Sequence, residues 1–129
     1  MKNLIGRMIL LVDDYEHACE FYEKNFGFKK IFDQSTSVGQ RFLHVGDENG
    51  MGIWFLKADS QVQNQRVGNQ TGEQPLMVIY TTDIAQLLHR LKNNKVQIKN
   101  DIVQTPEYKF FHCLDLYGNE IVVVELTQN

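Results

Sequence analysis

The sequence predicts an α+β protein made of two βαβββ modules in a pseudo-twofold arrangement, forming a curved sheet around a central cleft. Three observations carry this expectation. Arg7–Asp14 and Leu76–Asp83 are apolar runs that end in an Asp ahead of an amphipathic stretch, and they start 69 residues apart. Phe42-Leu43-His44-Val45 returns as Phe110-Phe111-His112-Cys113 after 68 residues, and Trp54 aligns with Val122 at the same spacing. Each half also holds one helical pattern for several strands, so one sheet face stays uncovered and must pair with something.

In the first module, Arg7–Val12 has the aliphatic content of a strand. Asp13-Asp14 then provides carboxylates that can accept hydrogen bonds from the free amides of a first helical turn. Across Tyr15–Phe26 the apolar residues Ala18, Phe21, Tyr22 and Phe26 fall at helical spacing. Gly27 ends the helix and Phe28–Phe32 resumes an extended path. Gln40–Val45 and Gly52–Lys57 read as strands joined around the turn-forming residues Gly46–Gly50.

The second module repeats the order. Leu76–Thr81 is a strand, and Asp83 with Gln86 forms an acidic capping pattern. Ile84, Leu87, Leu88 and Leu91 make the buried stripe of a helix ending near Asn94. Val96–Ile98 reads as a short strand and Lys109–Leu114 as a longer one, and Gly118-Asn119 turns the chain into Ile121–Leu126. Asp59–Gln74, with five Gln and two Gly in sixteen residues, reads as a linker or mobile surface loop. The expected organisation is one domain over 1–129, with module 1 at about 4–58, the linker at about 59–74 and module 2 at about 75–127.

Composition excludes several functions. At 129 residues, 43% hydrophobic and 22% charged, the chain is an ordinary globular domain. A net charge of -3 without a Lys or Arg run leaves no footprint for nucleic acid or a membrane surface. Apolar runs such as Met8–Val12 and Ile121–Val124 are too short to cross a bilayer. The N-terminus lacks the pattern of a secretory signal. Cys19 and Cys113, 94 residues apart and without a CxxC, read as two free thiols in a reducing cytoplasm.

Val12-Asp13-Asp14, Ala18-Cys19-Glu20-Phe21-Tyr22 and Phe26-Gly27-Phe28 resemble the opening "V-x-D … A-x-x-FY-x-x-x-LGF" of the vicinal oxygen chelate superfamily, the relatives of glyoxalase, bleomycin resistance protein and extradiol dioxygenase. Asp115-Leu116-Tyr117-Gly118-Asn119-Glu120-Ile121-Val122 is similar to its closing "DPDGN-x-I-E", with Leu116 in place of Pro. The resemblance covers about 120 of the 129 residues and is specific to the fold more than to a reaction. It implies a homodimer and a ligand site between the modules. In metal-dependent relatives four inward side chains hold one divalent cation, and the matching positions here are Arg7, Trp54, Leu76 and Val122. Guanidinium and indole offer only N–H donors, and Leu and Val offer nothing. Neighbours one residue away add only Met8 and Met77, whose thioethers do not suit hard cations. No metal and no cofactor are therefore expected.

The repeat points instead to His44 and His112, which occupy equivalent positions. The resemblance aims His112 into the cavity, three residues before Asp115. Strand alternation assigns Leu43 and Val45 to the helix-covered face and Phe42 and His44 to the other. Either imidazole could hydrogen-bond a ligand or move a proton, or could be a solvated or internally bonded side chain with no chemical role. Glu120 could join them if it faces the same way. His17 and His89 lie on helix surfaces. Arg7 must be paired by an anionic ligand group, by an internal partner or by water. Trp54 and Tyr80 could stack on a planar ligand or simply pack.

The expected function is metal-free binding of a small, partly aromatic or anionic molecule in an apolar cleft. The candidate contacts are Arg7, Phe42, His44, Trp54, Leu76, Tyr80, Phe110, His112 and Val122. The alternative is a glyoxalase-type lyase, isomerase or dioxygenase with a non-standard site around His44, His112 and Glu120. A third, plainer reading is association with another chain.

Overall fold

The computed structural model describes residues 1–47 and 50–126. The chain divides into two compact units, Met1–Val67 and Gly68–Asn129. Both carry a four-stranded sheet. In the first unit β1 (Arg7–Val12), α1 (Tyr15–Phe26), β2 (Lys29–Ser35), β3 (Arg41–Gly46), β4 (Gly52–Lys57) and α2 (Gln61–Arg66) follow one another. The second holds β5 (Pro75–Tyr80), α3 (Ile84–Asn93), β6 (Val103–Gln104), β7 (Tyr108–Leu114) and β8 (Glu120–Leu126). The sheet orders are β1-β4-β3-β2 and β5-β8-β7-β6, so the repeat seen in the sequence is a repeat of topology. In each sheet the first and last strands pair in parallel and the other pairs are antiparallel.

In the first unit, Asp14 caps α1 by accepting from His17 N at 2.9 Å. Gly27 closes the helix in the left-handed region, at φ 72°, where a side chain would be strained. The buried stripe is Ala18, Cys19, Tyr22 and Asn25, turned slightly from the expected one, so Phe21 and Phe26 are only half-buried. Asn25 is tolerated inside because its side-chain amide donates to Phe21 O at 3.0 Å. Under the helix lie Leu10, Val12, Leu43, Val45 and Phe55, each essentially inaccessible. Burying each of the larger ones contributes about 1.5–3 kcal/mol.

The second unit buries Ile84, Leu87, Leu88 and Leu91 of α3 together with Ile79, Phe111, Cys113, Ile121 and Val123. Asp83 caps α3 by accepting from Gln86 N at 3.1 Å. Asp115 and Asn119 are buried in the β7–β8 turn. The Asp115 carboxylate accepts from Tyr117 N, Asn119 N and Asn119 Nδ2, each at 2.9 Å, which ties the turn shut. The closing sequence motif is thus a structural clasp.

Two expectations need correction. Val96–Ile98 is not a strand; Ile98 makes only an isolated bridge to Cys113, and the edge strand β6 starts at Val103. Between them the chain leaves the ladder, and Asn100 Oδ1 accepts the His112 N–H at 3.0 Å in place of a backbone carbonyl. The segment Asp59–Gln74 is also not wholly a loop, because Gln61–Arg66 forms α2. Ser60 caps it by accepting from Gln63 N at 3.1 Å, so local capping orders a stretch with no buried residue. Of the expected turn at Gly46–Gly50, Glu48 and Asn49 lie outside the described residues, as does Thr127 at the expected end of the second module.

Candidate functional site

Strand alternation separates the two faces of the first sheet. Leu43 and Val45 are buried beneath α1, while Phe42 and His44 are half-buried on the opposite face. On that open face a row crosses three strands in register: Phe32 of β2 pairs with His44 of β3, which pairs with Trp54 of β4. The ring centroids are 5.2 Å apart at both steps, and Phe42 lies 5.7 Å from Trp54. Arg7, at the start of β1, donates from Nε to His44 Nδ1 at 3.0 Å and from Nη1 to Gly6 O at 2.7 Å. Four of the expected residues, Arg7, Phe42, His44 and Trp54, thus share one surface. Burial first, and the neighbouring guanidinium second, hold His44 below the ordinary histidine range, which favours its neutral form.

The open face of the second sheet is concave. Val78, Tyr80, Tyr108, Phe110, His112, Val122, Val124 and Leu126 line a shallow depression of about 400 Å³. Tyr80, Phe110, His112 and Val122 of the expected set are among them. Leu76 is half-buried and does not line it; the β5–β8 register shifts beside it, between Pro75 and Met77. Val122 faces His112 in register, as Trp54 faces His44 in the first sheet, but a valine leaves open the space that an indole would fill. A larger depression of about 770 Å³ shares Tyr80 and Leu126 and adds Thr81, Thr82, Gln104, Lys109 and Glu125. It contains no histidine.

His112 is held by a carboxylate. Its Nδ1 lies 2.6 Å from Glu120 Oε2, and Lys99 Nζ donates to Glu120 Oε1 at 2.7 Å. Lys99, then His112, holds the Glu120 carboxyl below its usual range, so it is ionised at neutral pH and can only accept. His112 Nδ1 is therefore the donor, and Nε2 is the ring nitrogen left for a molecule in the depression. His17 and His89 are exposed on α1 and α3, where they meet Asp14 and Asn93.

Sequence reasoning missed Phe32, Tyr108 and Lys99. Tyr108 continues the period of two through Phe110 and His112, a signal that was available. Phe32 becomes visible only through the register of an edge strand, and Lys99 only through its ion pair with Glu120.

The four positions matched to the family's metal site remain Arg7, Trp54, Leu76 and Val122, a set without a lone pair for a hard cation. Among the described residues no three His, Cys, Asp or Glu side chains gather as a ligand set. The residues present do not fit the metal. No described helix is long and apolar enough to cross a membrane.

The sequence model of the Glyoxalase/Bleomycin resistance protein/Dioxygenase superfamily matches residues 4–123. An uncharacterized protein of Shewanella frigidimarina (strain NCIMB 400) is 26% identical over 126 residues, covering 92% of this chain and 90% of its own. Among solved structures, UcmS2 superposes with a TM-score of 0.80 at 20% identity, covering 96% of this chain and 98% of that one. TnmS3, an antibiotic binding protein from Streptomyces sp. CB03234, gives 0.78 at 20% identity and covers 98% of both chains. At these identities the likeness is one of fold.

Proposed function

This chain belongs to the Glyoxalase/Bleomycin resistance protein/Dioxygenase superfamily, and on that premise we propose that it binds a small, partly aromatic or anionic molecule without a metal. The observation that carries the reading is the largely apolar depression over Val122, whose volume lies in the range of small-molecule sites and whose lining includes the His112 imidazole. The antibiotic-binding structural neighbour supports the binding of a small molecule. Of the expected contacts, Tyr80, Phe110 and Val122 line that depression, and Arg7, Phe42, His44 and Trp54 share the open face of the first sheet. On family grounds the protein acts as a homodimer, and its two free cysteines suit the cytoplasm. A thermal-shift screen of antibiotics and aromatic acids tests the proposal. A ligand at about 100 times its Kd adds roughly 2.7 kcal/mol, or about 8–12 °C in a domain of this size. A screen in which nothing moves the melting point counts against it.

A second reading has one observation in its favour. The His112–Glu120 pair, at 2.6 Å, is an oriented imidazole with a carboxylate behind it, an arrangement suited to proton transfer in a lyase or isomerase. Deuterium exchange into the α-carbon of an aryl ketone in D₂O, catalysed by wild type and lost in His112→Ala, would favour this reading. Equal exchange in both proteins would remove it.

A further inference from the structure

We propose that His44 and Trp54 act together as a two-donor clamp for an acceptor oxygen on a planar aromatic ligand, an aryl ketone or aryl carboxylate, at the open face of the first sheet. The proposal rests on the small-molecule-binding reading and names the ligand chemistry.

The protonation of His44 follows from its neighbour. A guanidinium only donates, so the Nδ1 that receives Arg7 Nε must carry a lone pair. The ring proton of the neutral imidazole is then on Nε2. Burial and the Arg7 charge both disfavour a second proton. Trp54 Nε1 is a donor by constitution. Among the described residues, His44 Nε2 and Trp54 Nε1 are the buried side-chain nitrogens or oxygens that have no hydrogen-bond partner. They belong to directly paired residues of β3 and β4, with rings 5.2 Å apart. Native proteins rarely leave a buried donor unmet, and here two unmet donors are neighbours.

The surroundings define the rest of the ligand. Phe32 beside His44 and Phe42 beside Trp54 extend the row with aromatic faces. Arg7, His44 Nε2 and Trp54 Nε1 are all donors, so a ligand that brought a further N–H would leave them unmatched. In the second unit Val122 stands opposite His112 and offers no donor, so that pair cannot form the same clamp.

The chain has one tryptophan, so nitrogen-15 labelling gives one indole N–H resonance. The probes are 2-acetylnaphthalene and 2-naphthoate, with naphthalene and 2-aminonaphthalene as controls. The proposal expects the two oxygenated probes to move the indole proton downfield and saturably, and the controls to give no downfield shift. Trp54→Phe keeps an aromatic ring but removes the N–H, and should weaken the oxygenated probes about tenfold, equivalent to about 1.4 kcal/mol, with less than a twofold effect on naphthalene. Equal binding of all four probes, or an equal loss in Trp54→Phe, would reduce the row to aromatic packing and overturn the clamp. An indole proton unmoved by every probe and exchanging with solvent would assign the donors to a bridging water only, and would also overturn it. If the oxygenated probes shift His112 resonances but not Trp54, the clamp fails while the binding function stands. If no probe shifts any resonance or the melting point, both fail. The wild-type spectrum decides the matter even if a variant does not fold.

Discussion

Arg7 Nε donates to His44 Nδ1 at 3.0 Å, between residues 37 apart in the chain. The equivalent histidine of the second module, His112, instead has Nδ1 at 2.6 Å from the Glu120 carboxylate. The repeat therefore preserves the two imidazoles and reverses the sign of their partners. Arg7 is replaced by Leu76 and Glu120 by Gly52 at the corresponding positions. A Cβ at Gly52 would lie 3.2 Å from Arg7 Cδ and 2.5 Å from Ile31 Cδ1, so the glycine leaves room for the arginine to pass. When neutral, His44 offers a donor at Nε2 and His112 a lone pair.

Arg7→Met should raise the pKa of His44 partway toward its ordinary 6.5, because one of its two depressing causes is gone while burial remains. Since Arg7 is exposed, the stability cost should stay near 1 kcal/mol or less. In wild type the folded-state pKa lies below the unfolded one, so His44's contribution is fully present above 6.5 and is lost as pH falls through the lowered value. Histidine resonances followed from pH 8 to pH 4 check the first statement. Denaturant unfolding over the same range checks the second.

Glu120→Gln should cost roughly 1–2 kcal/mol at pH 7, since both His112 and Lys99 lose a charged acceptor. The wild-type carboxyl is held below its usual range, so its stabilisation is present above the unfolded value and lost as pH falls through the folded one. The gap between variant and wild type should close in acid. A gap independent of pH would show that packing, not charge, accounts for the loss.

Gly68→Ala tests local geometry. Gly68 adopts φ +79°, and a Cβ there would stand 1.9 Å from Tyr117 O. Strain and clash act together, and a loss well above 1 kcal/mol is expected in chemical denaturation.

Cys19 and Cys113 should be unreactive toward an aromatic disulfide reagent in the native state, with two thiols released on unfolding. Both are buried and free. Burial, aided by Glu23 beside Cys19 and Asp115 near Cys113, pushes each thiol up to about 12.

Much of this was legible in the chain because it depends on periodicity. The alternation at Phe42–Val45, the stripe of α3 and the caps at Asp14 and Asp83 are local signals, and each corresponds to an observed feature. The helix at Gln61–Arg66 was also signalled, by Ser60 followed three residues later by Gln63. Its glutamine-rich composition and lack of an apolar stripe masked it. The displaced edge strand was not legible. Asn100 replaces a missing ladder acceptor through its side chain, and nothing in the spacing announces that. Nor could the sequence reveal which charge each histidine meets, because Arg7 with His44 and Glu120 with His112 are pairs made by register.

The most direct test of the account is calorimetric titration of the best thermal-shift compound into protein stripped with EDTA, and again after adding zinc or manganese. Metal-free binding predicts the same affinity in both, with one ligand per chain. Binding that appears only after the metal is added, accompanied by one equivalent of bound ion, would contradict it.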